Sequence, residues 1–374
     1  MSLETLWLLV LGLLLAGYFV LGGYDQGAQM LHPFLGSRGA RDGRDARDGR
    51  DTGAGQGGRD EGAEGNDRDS VESGADGLGD RNAALDAIAP FFLGNEVWLV
   101  AFTGVLFGAF PYLEGTLLSG LYPLIVAILV GLVLGNAAVQ LRGRARTARG
   151  RCRWDALIVF GGALPALCWG LVLGLLLHGV PRRADGYVRI GADDMLTPFV
   201  LACGVTTALL FAAHGAAFVA LRSEPELASR ARKMGTALLR AVGAAGSLAL
   251  LLTLFGAGAS MTNRATSAVL AALFATALVV AWWCLVRGHR VRAFAATCSA
   301  TLLPVPLLGA GQYPYVLVDT AGGGLTVQQA ASDGATLTIL TAFGVVVIPV
   351  ILAYQLWSWW LFRGRTGRRH PRYF

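Results

Sequence analysis

Nine stretches of predominantly apolar residues, at 4–23, 86–110, 115–140, 155–178, 198–221, 239–259, 267–287, 291–312 and 335–362, recur along this chain. A helix needs about 20 such residues to cross the hydrocarbon core of a bilayer, and inside lipid each backbone polar group must be paired within its own segment. The expectation is therefore an all-α polytopic membrane protein of about nine transmembrane helices, with 1–374 as a single integral membrane domain. Pro165, the "LPVPL" run at 303–307 and Pro349 fall inside these spans, where neighbouring helices must satisfy the backbone groups they release.

The charges are unevenly placed. Residues 38–81 hold eight Arg, nine Asp and three Glu, 20 of the 56 charged residues, so the remainder is more apolar than the mean hydropathy of +0.52 suggests. Within that segment "RDGRDARDGRD" (41–51) and the Gly-rich, acidic stretch after it have almost nothing to bury and cannot repay their ordering entropy. We expect 38–81 to be a disordered Arg/Asp/Gly-rich cytoplasmic loop inserted between helices 1 and 2.

Elsewhere the Arg and Lys residues alternate between connections. Residues 142–153 hold six, 222–240 five, 287–292 three and 363–372 five, against Arg182, Arg183, Arg189 and Arg264 in the alternate connections. The rich set is expected in the cytoplasm, which puts the C-terminus inside and the N-terminus outside. The net charge of +6 is thus a matter of topology, and no nucleic-acid partner is expected. "MSLETLW" lacks the basic region and cleavage site of a secretory signal, so the first span is expected to remain as a helix. "QLWSWWLF" (355–362) reads as an aromatic interfacial belt ahead of a basic anchor.

Ionisable groups inside such a bundle are costly and are functional candidates by default. Asp25 lies in "GYDQGAQML" (23–31), at the end of the first apolar run, and Glu96 in "GNEVWLV" (94–100). A carboxyl kept from water can hold and release a proton near neutral pH, so both are proton-path candidates. The alternative for Asp25 is a helix-end residue bonded to backbone near the interface, and for Glu96 a structural role. His178 and His214 are each open to two readings, ligand or hydrogen-bonded packing residue. No histidine pair at helical spacing and no C-x-x-C occurs, so no catalytic group, cofactor or metal site is expected in this chain. The residues alone leave two classes open, a proton-coupled secondary transporter and a subunit of an electron-transfer complex, with a membrane scaffold or assembly factor as a third.

At these motifs the chain resembles subunit II of the cytochrome bd quinol oxidases. "GYDQGAQML" is similar to that family's first-helix signature, with Tyr24, Asp25 and Gly27 at the matching places, and "IAPFFLGNEVWLV" (88–100) supplies Gly94, Asn95 and Trp98. "FPYLEGTLLSGLY" (110–122), "WDALIVFGGALPALCWGLVLGLLLHGVP" (154–181), "LTPFVLACGVTTALLFAAHGAAFVALR" (196–222) and "LTVQQAASDGATLTILTAFGVVVIPVILAYQLW" (325–357) continue the likeness.

The resemblance implies two four-helix bundles plus one peripheral helix in a bacterial cell membrane. It implies a heterodimer with a homologous subunit I that carries two b hemes and one d heme and oxidises quinol. This chain would bind none of these hemes, would be inactive alone, and would place Asp25 on a proton route from the cytoplasm. A small accessory subunit and a bound structural quinone or lipid are further partners of this reading. Some relatives carry an acid where this chain has Gly22 and an Asp where it has Leu93. Glu96, three residues beyond, shares that helical face and is the candidate replacement. Relatives often have Arg at the end of the third helix, where this chain reads "LGNAAVQLRGR" and Arg142 comes first.

Overall fold

The architecture comes from a computed structural model, which describes residues 2–35, 84–85, 87–145, 147–181, 190–320 and 323–362. The 38–81 segment, Arg182, Arg183, Arg189, the basic tail and the side chain of Leu93 lie outside them.

The described residues are helical almost throughout. In order, α1 spans Leu3–Leu31, α2 Phe92–Ala109, α3 Pro111–Gly120, α4 Tyr122–Leu141, α5 Ala148–His178, α6 Ala192–Met195, α7 Pro198–Arg222 and α8 Pro225–Leu254. Then come α9 Arg264–Arg287, α10 Arg290–Leu302, α11 Pro304–Gln312, α12 Val327–Ala330 and α13 Gly334–Leu361. Among the described residues eight helices are long and apolar enough to cross a membrane, or nine if α2 and α3 are one bent span.

Helix ends follow local chemistry. Ser2, Thr147, Thr197 and Asp333 each accept a backbone N–H at the start of α1, α5, α7 and α13. Gly288, at φ 79°, stops α9 in the left-handed conformation that a side chain would disfavour.

Several boundaries differ from expectation, for physical reasons. The first helix runs past residue 23 to Leu31, so Asp25 is a helix-interior residue and does not cap its end. Pro111 lacks an N–H and keeps Phe110 out of the helical conformation, at φ −135° and ψ 58°, so α3 leaves α2 at 118° and the third span begins at Tyr122, not 115. Pro304 divides the eighth span into α10 and α11. α8, which holds the sixth apolar run, starts at Pro225, well before that run, carrying its charged residues as a prefix. A small antiparallel hairpin, β1 Tyr315–Val318 with β2 Gly324–Thr326, interrupts the otherwise helical chain before α13.

α1 is central, packing against α2, α5 and α7; α4 covers α5, α7 joins α5 to α8, and α9 pairs with α10. Its contact face buries Tyr18, Phe19 and Tyr24 among Phe91, Phe211 and Phe218. α13 lies at the edge against α2 and α1, with Ile339, Phe343, Val346 and Val350 exposed as a lipid-facing helix requires. The aromatic belt is only partly as expected. Trp357 and Trp360 point outward, while Trp359 turns inward and packs on Phe91 at 5.2 Å between ring centroids.

Candidate functional site

The first-helix motif and the second meet inside the bundle. Asn95, in the first turn of α2, is wholly buried and directs its side-chain amide at α1. Its Nδ2 donates to Asp25 Oδ2 at 2.8 Å and to Tyr24 Oη at 2.6 Å, with the Leu21 carbonyl farther away at 3.5 Å. Its Oδ1 accepts from Gln355 Nε2 at 3.3 Å, and Gln355 Oε1 accepts from Trp98 Nε1 at 3.2 Å. Four polar side chains from α1, α2 and α13 and the Trp98 indole thus form one connected network, in a medium where an unpaired polar group is costly. Asp25 is 5% exposed and only one of its oxygens is held: Oδ1 has no hydrogen-bond partner among the described residues.

Close helix approach makes this possible. A methyl group at Gly27 would fall 1.9 Å from the Phe211 carbonyl oxygen on α7. One at Gly94 would press the Tyr354 ring at 3.2 Å. Beside the network, Tyr24 stacks on Phe218 with ring centroids 4.1 Å apart, and Trp359 and Phe294 complete an apolar wall. The arrangement orients the carboxyl through one oxygen and leaves the other buried without a hydrogen-bond partner among the described residues.

Glu96 does not join this network. A step of about 100° around the helix from Asn95 turns it away, where it is half-buried and accepts a hydrogen bond from Asn136 of α4. Leu93 and Glu96 do stand three residues apart in one helix, which is the spacing that the replacement idea requires.

His214 is fully buried with Nε2 3.0 Å from the Val20 carbonyl and Nδ1 2.8 Å from Thr297 Oγ1, so both ring nitrogens are taken by protein. His178 Nδ1 lies 2.8 Å from the Gly258 carbonyl oxygen. His214 fits the hydrogen-bonded packing reading, while the single bond at His178 Nδ1 leaves both of its readings open.

Two features escaped the sequence reading. Gln355 stood inside a quoted motif without being singled out, because a lone Gln in an apolar run carries no spacing signal. The second is a buried ionic cluster at the C-terminal end of α1. Asp155 Oδ1 lies 3.0 Å from His32 Nε2 and accepts from Arg142 Nε at 2.5 Å. An acid in "RWDAL" at the opening of an apolar span was the available hint.

Fold and site together define a multi-pass membrane protein that keeps a hydrogen-bonded acid inside its helix bundle. The family model of cytochrome bd terminal oxidase subunit II matches residues 70–362, and the chain belongs to that family. It is 26% identical over 372 residues to cytochrome bd ubiquinol oxidase subunit 2 of Bacillus subtilis (strain 168), covering 99% of this chain and 98% of that one. It is 27% identical over 401 residues to cytochrome bd-I ubiquinol oxidase subunit 2 of Escherichia coli (strain K12), covering 98% and 96%. A chain of the bd oxidase structure from Geobacillus thermodenitrificans matches its fold with a TM-score of 0.62 at 15% identity, over 98% of this chain and 100% of that one.

Proposed function

We propose that this chain is the non-heme membrane subunit of a bd-type quinol:oxygen oxidoreductase in a bacterial respiratory chain, working beside a homologous subunit I. The two b hemes and one d heme of the partner would supply electron transfer from quinol and reduction of oxygen to water. In this chain His214 has both ring nitrogens engaged by protein groups, in keeping with hemes held elsewhere. Protons consumed in water formation would come from the cytoplasm while quinol protons leave on the outer side, so charge separates across the membrane without a pump.

The part assigned to this chain is support of the partner and part of the proton path. The observation that carries it is Asp25: buried, fixed at Oδ2 by Asn95, and open at Oδ1. Tyr24, Gly27, Gly94, Asn95 and Trp98 hold that acid in place. Glu96, on the next helix and half-buried, is the second proton carrier in this reading and takes the place of the acid absent at Leu93. The N-terminus would lie outside and the C-terminus in the cytoplasm.

The test is purification of the tagged chain after co-expression with its subunit I. Co-purified b and d heme bands in a reduced-minus-oxidised spectrum, with quinol-dependent oxygen uptake, are expected. Recovery of the chain without heme from cells that make intact subunit I would overturn the assignment.

A further inference from the structure

The face of α1 that carries Asp25 continues through Gln29 to His32, in the 3-10 turn that follows the helix. Steps of four and three residues set these side chains in one column about 10 Å long, at a rise of 1.5 Å per residue. All three are buried, Gln29 with 2% of its surface exposed. Two other helices wall the column at matching intervals. α4 presents Gly135, and Arg142, seven residues on, opens the 3-10 turn that follows it; α5 presents Asp155 and, seven residues on, Gly162. A methyl at Gly135 would lie 2.9 Å from Gln29 Oε1, and one at Gly162 2.9 Å from Gln29 Cβ, so both walls are cut back around this one side chain. The ionic cluster of His32, Asp155 and Arg142 closes the end away from Asp25.

Three acceptors on this stretch of α1, Asp25 Oδ1, Gln26 Oε1 and Gln29 Oε1, have no hydrogen-bond partner among the described residues. Buried acceptors are rarely left so, and ordered water bridging polar groups is the usual means of satisfying them. Packing alone does not explain Gln29, because an apolar side chain of the same length would fill the space with no acceptor to satisfy.

We propose that Gln29 is a water-positioning residue of the proton entry to Asp25, in a seam between α1, α4 and α5 whose mouth is the His32–Asp155–Arg142 cluster. The proposal rests on the assignment of Asp25 to the proton route. The Gln29 amide oxygen accepts from one water of a short chain that links the cluster to Asp25 Oδ1, and does not itself carry the proton. A proton delivered to Oδ1 leaves the same carboxyl toward the partner subunit before the next arrives, and no other bond changes.

The experiment uses the co-expressed complex with Gln29→Leu, Gln29→Met, Gln29→Asn and Asp25→Asn. Gln29→Leu and Gln29→Met are expected to lower quinol-driven oxygen uptake about tenfold, the rate equivalent of one lost hydrogen bond. The quinol KM and heme spectrum should stay unchanged and the solvent deuterium isotope effect should rise. Gln29→Asn, which keeps an amide oxygen, should restore most of the rate. Wild-type turnover in the Leu and Met variants beside a slowed Asp25→Asn would overturn the seam and leave the Asp25 assignment standing. Wild-type turnover in Asp25→Asn would remove the assignment itself. Should the apolar variants fail to assemble, a wild-type map that resolves internal waters decides: density between Gln29 Oε1 and Asp25 Oδ1 is expected, and none there overturns the proposal.

Discussion

Asn95 Nδ2 stands 2.8 Å from Asp25 Oδ2, while the other oxygen of the same carboxyl meets no donor among the described residues. That asymmetry leaves one oxygen of the acid held by the network and the other buried without a hydrogen-bond partner among the described residues. Replacing Asn95 by Leu removes the partner of Asp25 Oδ2, Tyr24 Oη and Gln355 Nε2 together. Each buried polar group so orphaned costs about 1–3 kcal/mol, so the purified complex should melt at a clearly lower temperature. Asp25→Asn keeps an acceptor oxygen and should leave the melting temperature near wild type while slowing oxygen uptake. Equal melting of Asn95→Leu and wild type would show that the network bears no structural weight.

Gly27 sets the distance between α1 and α7. Its added methyl would overlap the Phe211 carbonyl oxygen, a backbone atom that cannot rotate away. Overpacking of this kind costs about 1–3 kcal/mol or more, so Gly27→Ala should lower both yield and melting temperature, and Gly27→Val should prevent assembly. A fully stable Gly27→Val complex would contradict the close crossing.

Asp155 accepts from Arg142 Nε and contacts His32, all three of them buried. Removing one partner of a buried ion pair is strongly destabilising, up to about 3–5 kcal/mol. Asp155→Ala should therefore destabilise the complex in detergent unfolding. The double change Asp155→Ala with Arg142→Met should recover part of the loss. Additive losses would argue against coupling between the two.

Asp333 caps α13 from outside the membrane-spanning segment. Bonds from Thr336 Oγ1 at 2.7 Å, the Thr336 N–H and the Ala335 N–H favour its charged form and hold its pKa below the ordinary 3.8. A lowered folded value means the cap contributes fully above the unfolded pKa and is lost as pH falls through the folded one. Hydrogen exchange at Ala335 and Thr336, corrected for intrinsic rates, should stay protected at neutral pH and loosen only below about pH 4. Asp333→Ala should abolish this dependence. A transition near pH 6 would point to a different group.

Legibility in the sequence varied by scale. Apolar run length placed the spans, because a helix in lipid must carry its own hydrogen bonds over a fixed thickness. The ends were less legible. α1 continues to Leu31 through Asp25, Gln26 and Gln29, where polar residues look like a boundary until neighbouring helices bury them. The α2–α3 bend at Phe110 and the break at Pro304 depend on single prolines whose effect turns on what packs around them. The motifs singled out Asp25, Asn95 and Trp98 but not the hydrogen bonds that tie them together.

What the sequence by itself determined was the class of fold, the family, and the presence of Asp25 and Glu96 in a medium hostile to charge. These follow from composition and local order along the chain. Only the tertiary structure decided that Asn95 bonds Asp25, that Gln355 closes the network from a helix 260 residues away, and that Asp155 meets both His32 and Arg142. A side chain's partner is set by helix rotation and crossing distance, which glycines such as Gly27 fix through steric contact with a distant helix, and no periodicity within one segment encodes that.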